Sequence, residues 1–114
     1  IAFDRWRIDV FKKECDKLGL ELPLVAFGQG FKDMSPALDT LEAQLLNARI
    51  VHNNNPALNM AAANAVVVKD PAGGRKLDKS KATNRIDPMV ALAMACGVSN
   101  FEETKQATYN IYFV

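Results

Sequence analysis

Two aspartates stand where this chain could place chemistry. Asp4 follows the apolar triplet Ile1-Ala2-Phe3, which reads as a strand, and open α/β sheets put their ligand sites beyond the carboxyl ends of strands. Asp87 opens a predicted helix directly after a basic stretch. From Lys69 to Arg85 six basic residues (Lys69, Arg75, Lys76, Lys79, Lys81 and Arg85) stand against Asp70 and Asp78, although the whole chain carries a net charge of only +1. A basic segment on a slightly acidic body suits a phosphate-facing surface, and it equally suits a solvated hairpin. Both aspartates also have a plain structural reading. Asp4 can cap the helix that follows it, and Asp87 can cap its own helix as Ser35 and Asn55 do at comparable places. A cap uses one carboxylate oxygen and leaves the other for a metal.

Other chemistries are excluded. His52 is the sole histidine, set beside three asparagines in a predicted loop, so a two-histidine mechanism is ruled out and a structural or solvated role is expected. No zinc-type cluster and no Ser-His-Asp arrangement is present. Phe27-Gly28-Gln29-Gly30 lacks the third glycine and the basic residue of a phosphate loop. Cys15 and Cys96 fall in amphipathic, helix-like segments and read as buried thiols in a reducing compartment. No apolar run approaches the roughly 20 residues of a membrane span, and no signal peptide precedes Ile1. A soluble cytoplasmic chain is the expectation. With 114 residues, 49% apolar and 24% charged, it has the material for one domain with a real core. It opens on a strand without Met, as a piece of something longer would.

The elements that must position these residues follow an α/β pattern. After the opening strand, Arg5 to Leu18 predicts a helix with Ile8, Phe11, Cys15 and Leu18 on one face and Asp9 and Lys13 spaced to pair outside. Gly19 supplies a left-handed cap. Leu22 to Phe27 predicts a short buried strand, parallel to the first. Three further helices are predicted to open with a polar residue and proline: Ser35-Pro36, Asn55-Pro56 and Asp87-Pro88. The first runs to about Asn47 with Leu38, Leu41, Leu45 and Leu46 inward. The second is alanine-rich and ends near Ala65. The third carries Val90, Leu92, Ala93 and Ala95 and stops at Gly97. Between the last two, Val66-Val67-Val68 and Arg75-Lys76-Leu77 flank Asp70-Pro71-Ala72-Gly73-Gly74, a predicted β-hairpin. The tail from Phe101 alternates Tyr109, Ile111 and Phe113 and suits an edge strand.

An ordered series of motifs resembles the nuclease domain of tailed-phage terminase large subunits. It runs through Asp4-Arg5-Trp6, Phe27-Gly28-Gln29-Gly30-Phe31-Lys32-Asp33-Met34-Ser35, and Asn55-Pro56-Ala57-Leu58. It continues with Ala63 to Gly73, Lys76-Leu77-Asp78-Lys79-Ser80-Lys81, and Arg85-Ile86-Asp87-Pro88-Met89-Val90-Ala91-Leu92. The resemblance covers residues 1–100, read as the C-terminal portion of that domain, with 101–114 as a tail.

The resemblance implies a partial RNase H-like fold, a mixed sheet with flanking helices and a hairpin. It implies a DNA endonuclease that uses two Mg²⁺ or Mn²⁺ ions, typically about 3.5–4 Å apart, to cut concatemeric viral DNA during packaging. Asp4 and Asp87 match the family's metal ligands; Lys79, Lys81 and Arg85 would hold the DNA backbone, and Asp78 is a further acid in reach. The family's first metal-binding aspartate and its ATP-using motor lie upstream of this stretch. Double-stranded DNA, a portal protein and a small terminase subunit are the implied partners, in the cytoplasm of a bacterial host. The unpaired edge of the first strand could also support a homodimer. Pro88 replaces the glycine often found there and fits a first-turn position. The rival reading is a catalytically incomplete prophage remnant or fragment that acts only as a DNA or protein interaction module.

Overall fold

The computed structural model describes the backbone of residues 1–106 and the side chains of residues 1–99. Eight elements follow in order: β1 (Ala2–Phe3), α1 (Ile8–Lys17), β2 (Val25–Ala26), α2 (Phe31–Leu46), α3 (Pro56–Asn64), β3 (Val67–Lys69), β4 (Arg75–Leu77) and α4 (Asp87–Gln106). The α/β reading holds, with one correction. In place of a single mixed sheet there are two separate pairs, β1 with β2 in parallel and β3 with β4 antiparallel. Helix α4 packs against β1 and α2 against β4, so the helices link the two pairs. The expected edge strand at Tyr109–Val114 lies outside the described residues.

The first pair is in register Ala2 to Val25 and Phe3 to Ala26. Between them α1 starts at Ile8, later than the predicted Arg5, because Asp4 turns the chain first by accepting from the Trp6 N–H at 3.2 Å. Gly19 ends the helix as expected. At φ 65° it lets the Leu20 N–H reach the Cys15 carbonyl at 2.9 Å, and its own N–H reaches Asp16 at 3.1 Å. The apolar face of α1 is another matter. Cys15 is buried but Leu18 is 72% exposed, and the ion pair on this helix joins Lys17 to Glu14 rather than Asp9 to Lys13. Val25 and Ala26 are exposed as well, against the expectation of a buried strand.

Helix α2 begins five residues before Pro36, which sits inside it. The Gly30 carbonyl accepts from the Met34 N–H at 3.0 Å, and Asp33 in the first turn takes the Gly28 N–H at 2.9 Å. Ser35 therefore caps nothing: its hydroxyl accepts from the Arg75 N–H at 3.1 Å, tying the hairpin to α2. The Arg75 guanidinium completes that tie with ion pairs to Asp39 and Glu42. Asn55 behaves as predicted, its side chain accepting from Ala57 and Leu58 ahead of α3. The core joins Met34, Leu38 and Leu41 of α2 to Leu77, Ile86, Val90 and Met94. Leu45 and Leu46, expected inward, are exposed, and so is Ala95.

Gly97 does not end α4, which runs on to Gln106. Its role is close approach. A Cβ at this position would lie 2.7 Å from the Phe27 ring and 2.9 Å from the Ala37 methyl, so only glycine lets α4 sit this near α2 and the end of β2.

Candidate functional site

Asp87 stands at the head of α4, whose first turn is built on the carbonyl of buried Ile86, acceptor of the Met89 and Val90 N–H groups at 3.0 Å. Ile86 anchors the turn in the core and leaves the Asp87 side chain 58% exposed. Its Oδ1 meets the Lys79 ammonium at 2.7 Å. The hydrogen bond and charge of Lys79, helped by the charge of Arg85, hold the Asp87 carboxyl below the ordinary aspartate range. Lys79, Thr83, Asn84, Arg85 and Asp87 line one open pocket together with Ala82 and Ile86. Three of the predicted site residues, Lys79, Arg85 and Asp87, are thus brought together.

Asp78 serves the turn that leads there. Its Oδ1 accepts from the Ser80 N–H at 2.9 Å and the Ser80 hydroxyl at 2.6 Å, and these bonds keep its pKa low. The Lys81 side chain forms no ion pair among the described residues, although its backbone N–H and its charge both favour the ionised form of Asp78. The rest of the basic segment is partly committed elsewhere. Arg75 is bound to α2, and the Lys76 ammonium lies 5.0 Å from the centre of the Phe31 ring.

Asp4 lies beyond the carboxyl end of β1, as expected, but it is not a helix cap. Its Oδ1 takes the Trp6 N–H, and its Oδ2 takes the Gln29 side-chain amide at 2.7 Å. Gln29 is the residue that the motif reading passed over. The parallel register foreshadows it: Phe3 lies opposite Ala26, so the segment after β2 must run beside Asp4. No hydrogen bond or ion pair joins Asp4 to Asp87; each is tied to a partner of its own. Strand β1, which precedes Asp4, and helix α4, which opens at Asp87, are in contact as elements. His52 is exposed, and its Nδ1 accepts from the Asn54 N–H at 3.2 Å, the structural role expected of it. Both thiols are free, Cys15 buried and Cys96 half-buried, where desolvation raises the pKa of Cys96.

Carboxylate oxygens are the donors that Mg²⁺ and Mn²⁺ prefer, and such ions are commonly held by one or two carboxylates with water completing the shell. Asp87 fits that chemistry: it is exposed and ionised and already holds a cationic group. Among the described residues no group of three or more acidic, histidine or cysteine side chains gathers around a common point. The donor set here is therefore of the right kind and small.

Comparison with known proteins gives a consistent result. The family described as terminase large subunit, endonuclease domain, matches residues 1–103. The terminase large subunit of Enterobacteria phage HK97 is 65% identical over 106 residues, which is 93% of this chain and 21% of that protein. The crystal structure of the HK97 bacteriophage large terminase superposes with a TM-score of 0.79 at 67% identity, covering 85% of this chain and 20% of that one. This chain thus spans about a fifth of the length of the relatives it matches. With the family match running over nearly its whole length, the chain belongs to the endonuclease-domain family of terminase large subunits.

Proposed function

We propose that this chain forms part of a metal-dependent DNA endonuclease with an RNase H-like fold, which cuts concatemeric viral DNA during genome packaging. The observation that carries this reading is the placement of Asp87, ionised and exposed at the head of α4, in one pocket with Lys79 and Arg85. Asp87 and Asp4 would hold the divalent ions. Bound there, Mg²⁺ or Mn²⁺ supplies charge that lowers the pKa of water and offsets charge on a leaving oxygen. Arg85 and Lys81 have no ion-pair partner among the described residues and would hold DNA phosphates, which fixes position without reading sequence. Gln29 orients Asp4 by fixing one of its oxygens. Double-stranded DNA is the substrate on this reading, and the portal protein and small terminase subunit are partners of the longer protein.

Nicking of supercoiled plasmid in Mn²⁺, with Asp87→Asn beside the unaltered chain, tests it. Cleavage that falls to background in the variant is the expected result. Cleavage unchanged in the variant would remove Asp87 from the mechanism. A second reading, an interaction module without turnover, is favoured by the lack of a three-carboxylate cluster among the described residues. It predicts DNA retention in a gel-shift assay with no nicking by either protein.

A further inference from the structure

We infer that Lys79 is an internal counter-cation for Asp87, which a divalent ion must displace and whose freed ammonium then turns to the DNA phosphate. The inference rests on the proposed ligand role of Asp87 and deepens it.

Three observations carry it. The Lys79 ammonium sits 2.7 Å from Oδ1 of Asp87, and both side chains are about half exposed, so ions and water reach the pair freely. The Lys79 backbone is held, because Asp78 on one side is bonded to Ser80 on the other and the Asp78 N–H is bonded to the Val66 carbonyl at 2.9 Å. Lys79 therefore has a fixed root and a flexible stem. Arg85 lines the same pocket without forming an ion pair with Asp87. The pocket thus contains a second cation beside which a released lysine could share one phosphate.

The chemistry of the two cations makes lysine the one that exchanges easily. A lysine ammonium is a compact point charge that leaves a carboxylate easily, whereas an arginine fork engages both oxygens and holds on. Exposed lysine–carboxylate pairs are weak, so a divalent ion with twice the charge displaces the ammonium. The displaced ammonium cannot stay at the same oxygen, because the two positive charges repel. Metal binding then presents an unpaired lysine to DNA, and by linkage DNA that occupies Lys79 favours the metal in return.

Titration of this chain with Mn²⁺, followed by water-proton relaxation, tests the inference in four proteins: unaltered, Lys79→Gln, Lys79→Arg and Asp87→Asn. Lys79→Gln is expected to tighten Mn²⁺ binding roughly two- to fivefold, the scale of one exposed ion pair, while Lys79→Arg gives no tightening. Affinity in Lys79→Gln equal to or weaker than that of the unaltered chain would overturn the counter-cation role. In that case weakened binding in Asp87→Asn would still leave the ligand reading intact. Asp87→Asn binding Mn²⁺ as the unaltered chain does would instead defeat the ligand reading, and this inference with it.

Discussion

Two regions of the molecule use apolar residues in opposite ways. Helices α2 and α4 with β4 close over Met34, Leu41, Ile86, Val90 and Met94, and these side chains are almost fully buried. The N-terminal unit of β1, α1 and β2 carries Trp6, Val10, Phe11, Leu18 and Val25 and leaves every one of them exposed. Helix α1 makes no extensive contact with any other element among the described residues. The periodicity of α1 is as regular as that of α2, so amphipathic spacing marks a face for burial without providing what covers it. Stability should accordingly reside in α2, α4 and the hairpin.

The strongest challenge to that division is Met34→Ala. Met34 is 1% exposed at the centre of the core, and its truncation is expected to cost about 2–5 kcal/mol in urea denaturation. A smaller loss, about 1–3 kcal/mol, is expected from Gly97→Ala, because the new methyl would lie 2.7 Å from the Phe27 ring and 2.9 Å from the Ala37 methyl. Asp87 gives a pH-dependent effect of lesser size, discounted for its exposure. Its folded-state pKa is depressed, so its contribution is present above the unfolded value of about 3.9 and is lost as pH falls through the lower folded value. Stability measured from pH 5 downward should therefore decline less steeply in Asp87→Asn. The smallest effect belongs to the N-terminal unit. Trp6→Ser, at a side chain 80% exposed, should stay within about 0.5 kcal/mol of the unaltered chain. A loss comparable to that of Met34→Ala would erase the contrast between the two regions.

What the sequence made legible was local. Asn55-Pro56 and Gly19 did as predicted because each acts on backbone groups within a few residues. The hairpin was legible for the same reason, since Asp70 closes its turn by bonding the Gly74 N–H at 2.6 Å. Ser35-Pro36 looked identical to Asn55-Pro56 and was not, because Ser35 bonds Arg75, 40 positions away, a demand that no local pattern reveals. Gly97 looked like a stop for the same reason: the Phe27 ring that requires it lies far off in sequence. The site divided along this line too. Asp4 and Asp87 stood out by position and the basic segment by composition. The pairing of Lys79 with Asp87 and of Gln29 with Asp4 needed the folded turns that bring them together.

The glycine at position 97 has a consequence for the carboxylate at position 87. Ten residues of helix separate them, about 15 Å of rod at 1.5 Å per residue. The contact with Phe27 is the notch in which that rod rests, and the rod transmits its seating to the far end. A side chain added at the notch would tilt the helix about its remaining contacts and carry Asp87 sideways without touching it. Substitution at position 97 is thus expected to shift where Asp87 stands as well as to loosen the core.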